Sequence, residues 1–198
     1  MEKLNKRINF FSNLPNNITA LRILLVPAFI FSLLGYTPQK QYFIFWAVGI
    51  FLTACFTDAL DGFVARKLKQ QTVFGSYIDP IADKLLLSSG FLCLSLLTHL
   101  PAPMRIPGWV TLLVISRDVI ILIGSALIFL STGSLKAEPL FISKLTTLVQ
   151  MVTLCAVLFR LPHDILTVLF ILTAVLTVLS GVLYIRMGEK IFNREPST

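Results

Sequence analysis

Hydrophobic and polar positions alternate on a long scale in this chain. Apolar runs of roughly 20 residues, each long enough to cross a bilayer as a helix, are cut by short polar breaks. Six runs are legible: Ile18 to Gly35, Tyr42 to Asp58, Ile78 to Thr98, Trp109 to Leu130, Phe141 to Phe159 and Ile165 to Ile185. The breaks hold the expected punctuation, Thr37-Pro38, Pro101 to Gly108, Ser131 to Pro139, and Pro162. The pattern predicts an all-α integral membrane protein of six transmembrane helices, without internal repeats or low-complexity tracts.

Composition agrees. Of 198 residues, 56% are hydrophobic and 14% charged, against about 25% charged in soluble domains. Six or so spans with short loops take up this length, so no separate soluble domain is expected within it. Residues 1–17 read as a cytoplasmic or interfacial segment, 18–187 as the six-helix domain and 188–198 as a cytoplasmic tail. The basic N-terminus lacks the apolar core and small-residue cleavage site of a signal peptide. Lys and Arg exceed Asp and Glu by 17 to 10, with no basic face interleaved with aromatics, which argues against nucleic-acid binding. With a cytoplasmic N-terminus, that side holds Lys3, Lys6, Arg7, Arg66, Lys67, Lys69, Lys136, Arg186, Lys190 and Arg194. The other side holds Lys40, Arg105 and Arg160. The asymmetry places both termini in the cytoplasm. Cys55, Cys93 and Cys155 lie in apolar runs at no metal-binding spacing and read as small core residues.

One stretch breaks the apolar pattern, DALDGFVARKLKQQTVFGSYIDPIADK at residues 58–84. It carries four of the ten acidic residues: Asp58, Asp61, Asp79 and Asp83. The first two are spaced i, i+3 and the last two i, i+4, so on helices each pair shares one face. Two helices joined by a hairpin of roughly 15 residues bring the four carboxylates around one point. Carboxylates near a bilayer are costly alone and repel one another; a hard divalent cation, Mg²⁺ or Mn²⁺, removes both difficulties. The plainer reading, ordinary helix-end acids in a cytoplasmic loop, leaves the paired spacing unexplained. Between the pairs, Gly62 admits close approach to the backbone and Arg66, one turn on, suits a phosphate. Thr72 adds a hydroxyl, and Gly75 sits four residues before Asp79. Together these residues point to a substrate containing a pyrophosphate.

The full pattern, D58-x2-D61-G62-x2-A65-R66-x8-G75-x3-D79-x3-D83, resembles the signature of the CDP-alcohol phosphotransferase family. Upstream, NLPNNITALRILLVP is similar to that family's Asn-x-x-Thr-x-x-Arg segment, here Asn16, Thr19 and Arg22. ISRDVIIL and FISKLTTLVQ resemble segments of its phosphatidylglycerophosphate synthase and cardiolipin synthase branches. The resemblance implies a six-helix bundle with a cytoplasm-facing polar cavity, a homodimer, and a bacterial inner-membrane location. It also implies transfer of a phosphatidyl group from CDP-diacylglycerol to an alcohol, with release of CMP. Asp58, Asp61, Asp79 and Asp83 would then bind two divalent ions, Mg²⁺ first and Mn²⁺ as the alternative, with Asp83 also the general base. Gly62, Ala65, Arg66, Thr72, Gly75, Asn16, Thr19 and Arg22 would contact the CDP moiety.

The remaining intramembrane charges bear on the acceptor. Arg117 begins about nine residues into its span, too deep to snorkel comfortably. Asp118 beside it is a candidate local partner, although adjacent helix residues point about 100° apart and pair poorly. Arg117 and Lys144 are therefore expected to form a basic pocket for the acceptor's phosphate. His99 and His163 read as interfacial and non-catalytic. The leading acceptor is glycerol 3-phosphate. Arg117-Asp118 lacks the second basic residue a turn or two later that this branch shows, which keeps phosphatidylglycerol as the alternative. Among other classes, a membrane prenyltransferase would carry its acidic motifs on distant helices. A metal-cation transporter would need acids at mid-membrane and no use for Gly62 and Arg66.

Overall fold

The computed structural model describes residues 23–68, 73–132 and 141–192, with side chains described for these except 58–68, 73–83, 128–129, 131–132 and 190–192. Its elements are helical throughout: α1 (Ile23–Leu34), α2 (Tyr42–Leu68), α3 (Val73–Leu96), α4 (Gly108–Thr132), α5 (Phe141–Leu158) and α6 (His163–Phe192). No strand occurs among the described residues. Ala102–Leu127, Phe141–Leu158 and His163–Glu189 are long and apolar enough to cross a membrane. Shorter apolar helical stretches cover Ile23–Leu34, Tyr42–Thr57 and Lys84–Leu96. Large apolar side chains lie exposed along these helices, among them Phe45, Trp46 and Phe56 on α2 and Val168, Ile171 and Val175 on α6. Such surfaces suit lipid, and a helix satisfies its own backbone there. The protein is an integral membrane protein.

Two helix boundaries depart from the hydropathy pattern, and both matter to the acidic motif. α2 continues past Asp58 to Leu68, and α3 begins at Val73 rather than Ile78. Four residues, 69–72, therefore separate the two helices in sequence, rather than the roughly 15 expected. Hydropathy marks where a helix leaves the lipid, not where it ends. The segment beyond Asp58 is rich in Ala, Leu, Arg and Lys, all good helix formers. For the same reason α6 runs beyond Ile185 to Phe192.

The chain divides into two compact units, Met1–Cys93 and Leu94–Thr198, with the division inside α3. In the first, Phe29, Leu33, Ala47 and Phe51 are fully buried, and the Phe29 and Phe51 rings lie 5.8 Å apart. α1 closes at Gly35, whose N–H donates to the Phe31 carbonyl at 2.9 Å. A Cβ at Gly35 would come within 2.7 Å of the Phe43 ring, so this turn needs glycine for the close approach.

In the second unit, α6 packs along both α4 and α5. Val110, Val114, Leu154, Val157 and Leu166 are buried. The α3–α4 connection folds inward on Leu100, Met104 and Ile106, all buried. The Ile106 N–H donates back to the Leu94 carbonyl at 3.0 Å. A 3-10 turn at Ala102–Met104 packs against α5.

Candidate active site

The longer α2 gathers half of the motif on one helix. Asp58, Asp61, Gly62, Ala65 and Arg66 all belong to it. At 100° per residue they occupy an arc of about 140° and rise about 12 Å along the axis. Gly75, Asp79 and Asp83 belong to α3, at i, i+4, i+8 within about 80° of arc. Each half of the motif is thus a single helix face. The side chains of these residues lie outside the described ones, as do Asn16, Thr19, Arg22 and Thr72 altogether. Among the described residues no cluster of three or more His, Cys, Asp or Glu side chains forms.

The second polar site is fully described and lies in α4, α5 and α6. Arg117 is only 4% exposed. Its Nη1 donates to Asp118 Oδ1 at 2.8 Å and its Nη2 to Ser180 Oγ at 2.8 Å. Nη2 also donates to Ser143 Oγ at 2.5 Å, and Nε reaches Ser180 Oγ at 3.3 Å. The guanidinium therefore ties three helices together. Asp118 is thus the local partner, and adjacent helix residues pair here despite their separation of about 100°. The arginine stem is long, and an unpaired charge buried in hydrocarbon costs more than a bent approach. Lys144, one residue from Ser143, is exposed. Arg117 and Lys144 thus differ sharply in burial.

Ser143 and Ser180 were not anticipated from sequence. Nor was the seam of polar side chains that continues from them between α5 and α6. Thr146 Oγ1 donates to the Leu176 carbonyl at 3.2 Å, Gln150 Nε2 to Thr177 Oγ1 at 3.3 Å, and Thr153 and Thr173 share a hydroxyl contact of 2.8 Å. All but Leu176 and Ser143 are buried. Their signal in the sequence is small polar residues at helical spacing within apolar runs.

A family model described as CDP-alcohol phosphatidyltransferase matches residues 12–179. The probable phosphatidylglycerophosphate synthase of Mycobacterium tuberculosis (strain ATCC 25618 / H37Rv) is 36% identical over 181 residues, covering 88% of this chain and 80% of that protein. The CDP-diacylglycerol–glycerol-3-phosphate 3-phosphatidyltransferase of Bacillus subtilis (strain 168) is 32% identical over 165 residues, covering 78% and 81%. The cardiolipin synthase (CMP-forming) of Homo sapiens is 32% identical over 198 residues, covering 89% and 62%. The match runs from ahead of α1 into α6 and contains both motif faces, and on that ground the chain belongs to the CDP-alcohol phosphatidyltransferase family.

Proposed function

We propose that this protein transfers a phosphatidyl group from CDP-diacylglycerol to glycerol 3-phosphate and releases CMP. The observation that carries the reading is the single face of α2 bearing Asp58, Asp61, Gly62, Ala65 and Arg66, continued on α3 by Gly75, Asp79 and Asp83. The link at 69–72 has the length that joins neighbouring antiparallel helices.

The family is generally dependent on divalent cations. The donor set fits one: four carboxylates, all hard oxygen, on two helix faces. Asp58, Asp61, Asp79 and Asp83 would hold two Mg²⁺ ions, or Mn²⁺, which when bound offset charge on the pyrophosphate and lower the pKa of an acceptor hydroxyl. Gly62 leaves room for the diphosphate against the α2 backbone, and Arg66 forks onto a phosphate oxygen. Ala65, Thr72, Gly75 and upstream Asn16, Thr19 and Arg22 complete the CDP site. Asp83 accepts the proton of the acceptor hydroxyl. The deprotonated hydroxyl oxygen of the acceptor then bonds to the phosphorus bearing diacylglycerol, and the P–O bond to CMP breaks, so CMP leaves with the electron pair.

Arg117 and Lys144 receive the acceptor's phosphate, Arg117 by exchanging one of its serine partners. The reading places both termini in the cytoplasm, in a bacterial inner membrane, and the chain as a homodimer. Phosphatidylglycerol is the second reading for the acceptor, which would make the protein a cardiolipin synthase. It is favoured by Asp118, which neutralises Arg117 and leaves less positive charge for a dianionic phosphate.

Purified protein with CDP-diacylglycerol and Mg²⁺ tests this through CMP release. Release with glycerol 3-phosphate alone supports the proposal. Release with phosphatidylglycerol alone replaces it with the second reading, and release with neither overturns both.

A further inference from the structure

One cation of the second unit is held by its own loop rather than by a carboxylate. Arg105 follows the 3-10 turn in the α3–α4 connection. Its Nε donates to the Leu100 carbonyl at 2.9 Å, and its Nη2 bonds the Thr98 carbonyl. Two carbonyls of its own loop therefore fix the guanidinium plane. Neither is an anion, and among the described residues Arg105 has no carboxylate partner. Arg105 is exposed, and a guanidinium already held by two carbonyls is organised for a ligand, since little rotamer entropy remains to be lost on binding.

Arg105 borders a cavity of about 330 Å³ within the second unit. His163, Thr167 and Trp109 also line it, and Leu166 and Phe170 help form its apolar walls. His163 opens α6, a helix of 30 residues, so the positive end of its dipole lies at the same wall. Asp164 shares that first turn but does not line the cavity. The Thr167 hydroxyl donates to the His163 carbonyl at 2.9 Å, which leaves its oxygen lone pairs rather than its proton facing elsewhere. The basic lining is thus Arg105 and His163, over walls made mostly of aliphatic, aromatic and proline side chains.

That combination discriminates among ligands. A free inorganic anion gains from Arg105 but nothing from Leu166, Phe170 and Trp109. A neutral lipid gains from the walls and leaves Arg105 without a partner. A glycerophospholipid with net negative charge satisfies both, its phosphodiester on the guanidinium and the start of its acyl chains on the apolar walls. Position agrees: the cavity opens at the starts of α4 and α6, where two spans leave the hydrocarbon, and Trp109 is of the residue type enriched at that depth. We propose that this cavity is a binding site for the headgroup of an anionic phospholipid, formed by Arg105 and His163 and lined by no residue of the acidic motif. In the proposed orientation Arg105 lies on the non-cytoplasmic side, so the site gives anionic lipid of that leaflet a contact with the enzyme that is independent of which acceptor the motif serves.

The two tryptophans make the test direct. Trp46 lies on α2 and Trp109 in the cavity wall, so Trp46→Phe leaves Trp109 as the sole indole. The full-length variant is placed in nanodiscs of phosphatidylcholine containing increasing fractions of brominated phosphatidylserine or, separately, brominated phosphatidylcholine. Phosphatidylserine is used because it is neither proposed acceptor. Quenching of Trp109 is expected at about fivefold lower fractions of the anionic lipid, the preference set by one basic residue at a membrane surface. Arg105→Gln and, separately, His163→Gln should bring the two curves together or nearly so. His163 is exposed, so its variant remains informative if loss of Arg105 disturbs the loop. Identical curves in the parent protein overturn the site, as does a preference that survives in both variants.

Discussion

Arg117 and Asp118, neighbours in sequence, form an ion pair of 2.8 Å with side chains 4% and 7% exposed. The pair is completed by Ser143 from α5 and Ser180 from α6. Removing one partner of a buried pair is expected to be worse than removing both. Asp118→Asn leaves a buried guanidinium without its counter-charge, at a cost of about 3–5 kcal/mol. Replacing the two together, Arg117→Met with Asp118→Leu, should recover most of that loss. Denaturant unfolding in mixed micelles compares the three proteins. The same double variant separates structure from catalysis. If it folds but its KM for glycerol 3-phosphate rises with little change in kcat, Arg117 also serves the acceptor. An unchanged KM restricts Arg117 to tying the helices.

Asp83 is predicted to be replaceable in the fold and irreplaceable in the reaction. Asp83→Asn keeps the size of the side chain and removes its capacity to accept a proton. CMP release should fall by about 10²–10⁴-fold, the usual contribution of a positioned base. The variant should remain in the membrane fraction and elute as the parent does in size-exclusion chromatography. A variant keeping a tenth of parental turnover would exclude Asp83 as the base. Chelation of divalent cations should abolish release in the parent, and added Mg²⁺ should restore it.

The parts legible in the sequence differ from those that were not in a physical way. Asp58, Asp61, Asp79 and Asp83 stood out because charge is costly near lipid, so its presence and spacing are informative. The extension of α2 to Leu68 was hidden, since hydropathy senses the lipid boundary and Ala65, Arg66 and Lys67 lie beyond it. The partners of Arg117 were hidden for another reason. Ser143 and Ser180 lie 26 and 63 residues away in sequence, and a neutral hydroxyl in an apolar run carries little local signal. For Asp118 the sequence offered the partner, while the local rule discounted it. The 100° separation of adjacent residues disfavours pairing in water, where solvent is the alternative, but not in a buried site.

The α5–α6 seam is expected to specify register more than it stabilises. Interhelical hydrogen bonds in membranes average about 0.6 kcal/mol by double-mutant cycles, because the dissociated helices also find partners. A cycle of Thr153→Val and Thr173→Val across their 2.8 Å contact should give coupling of that order. Gln150→Leu with Thr177→Val should behave alike. Coupling above about 2 kcal/mol in either cycle would mean the seam holds the helices together rather than aligning them.

Arg160 carries a backbone conformation that usually belongs to glycine. Its φ is 54°, and it sits just past the end of α5. Its N–H donates to the Val157 carbonyl at 3.0 Å, while the Leu161 N–H donates to the Ala156 carbonyl at 3.0 Å. This is the paired closure in which a left-handed residue ends a helix. The arginine side chain offsets part of the cost, its Nε reaching Met104 Sδ at 3.3 Å across to the 3-10 turn. Arg160→Ala loses that contact and keeps the strained backbone. Arg160→Gly loses the same contact and relieves the strain. The glycine variant should therefore be more stable than the alanine variant by about 1 kcal/mol. Comparison with the parent then isolates the side chain's own contribution. If alanine and glycine unfold at the same denaturant concentration, the α5 terminus relaxes out of the left-handed region in solution.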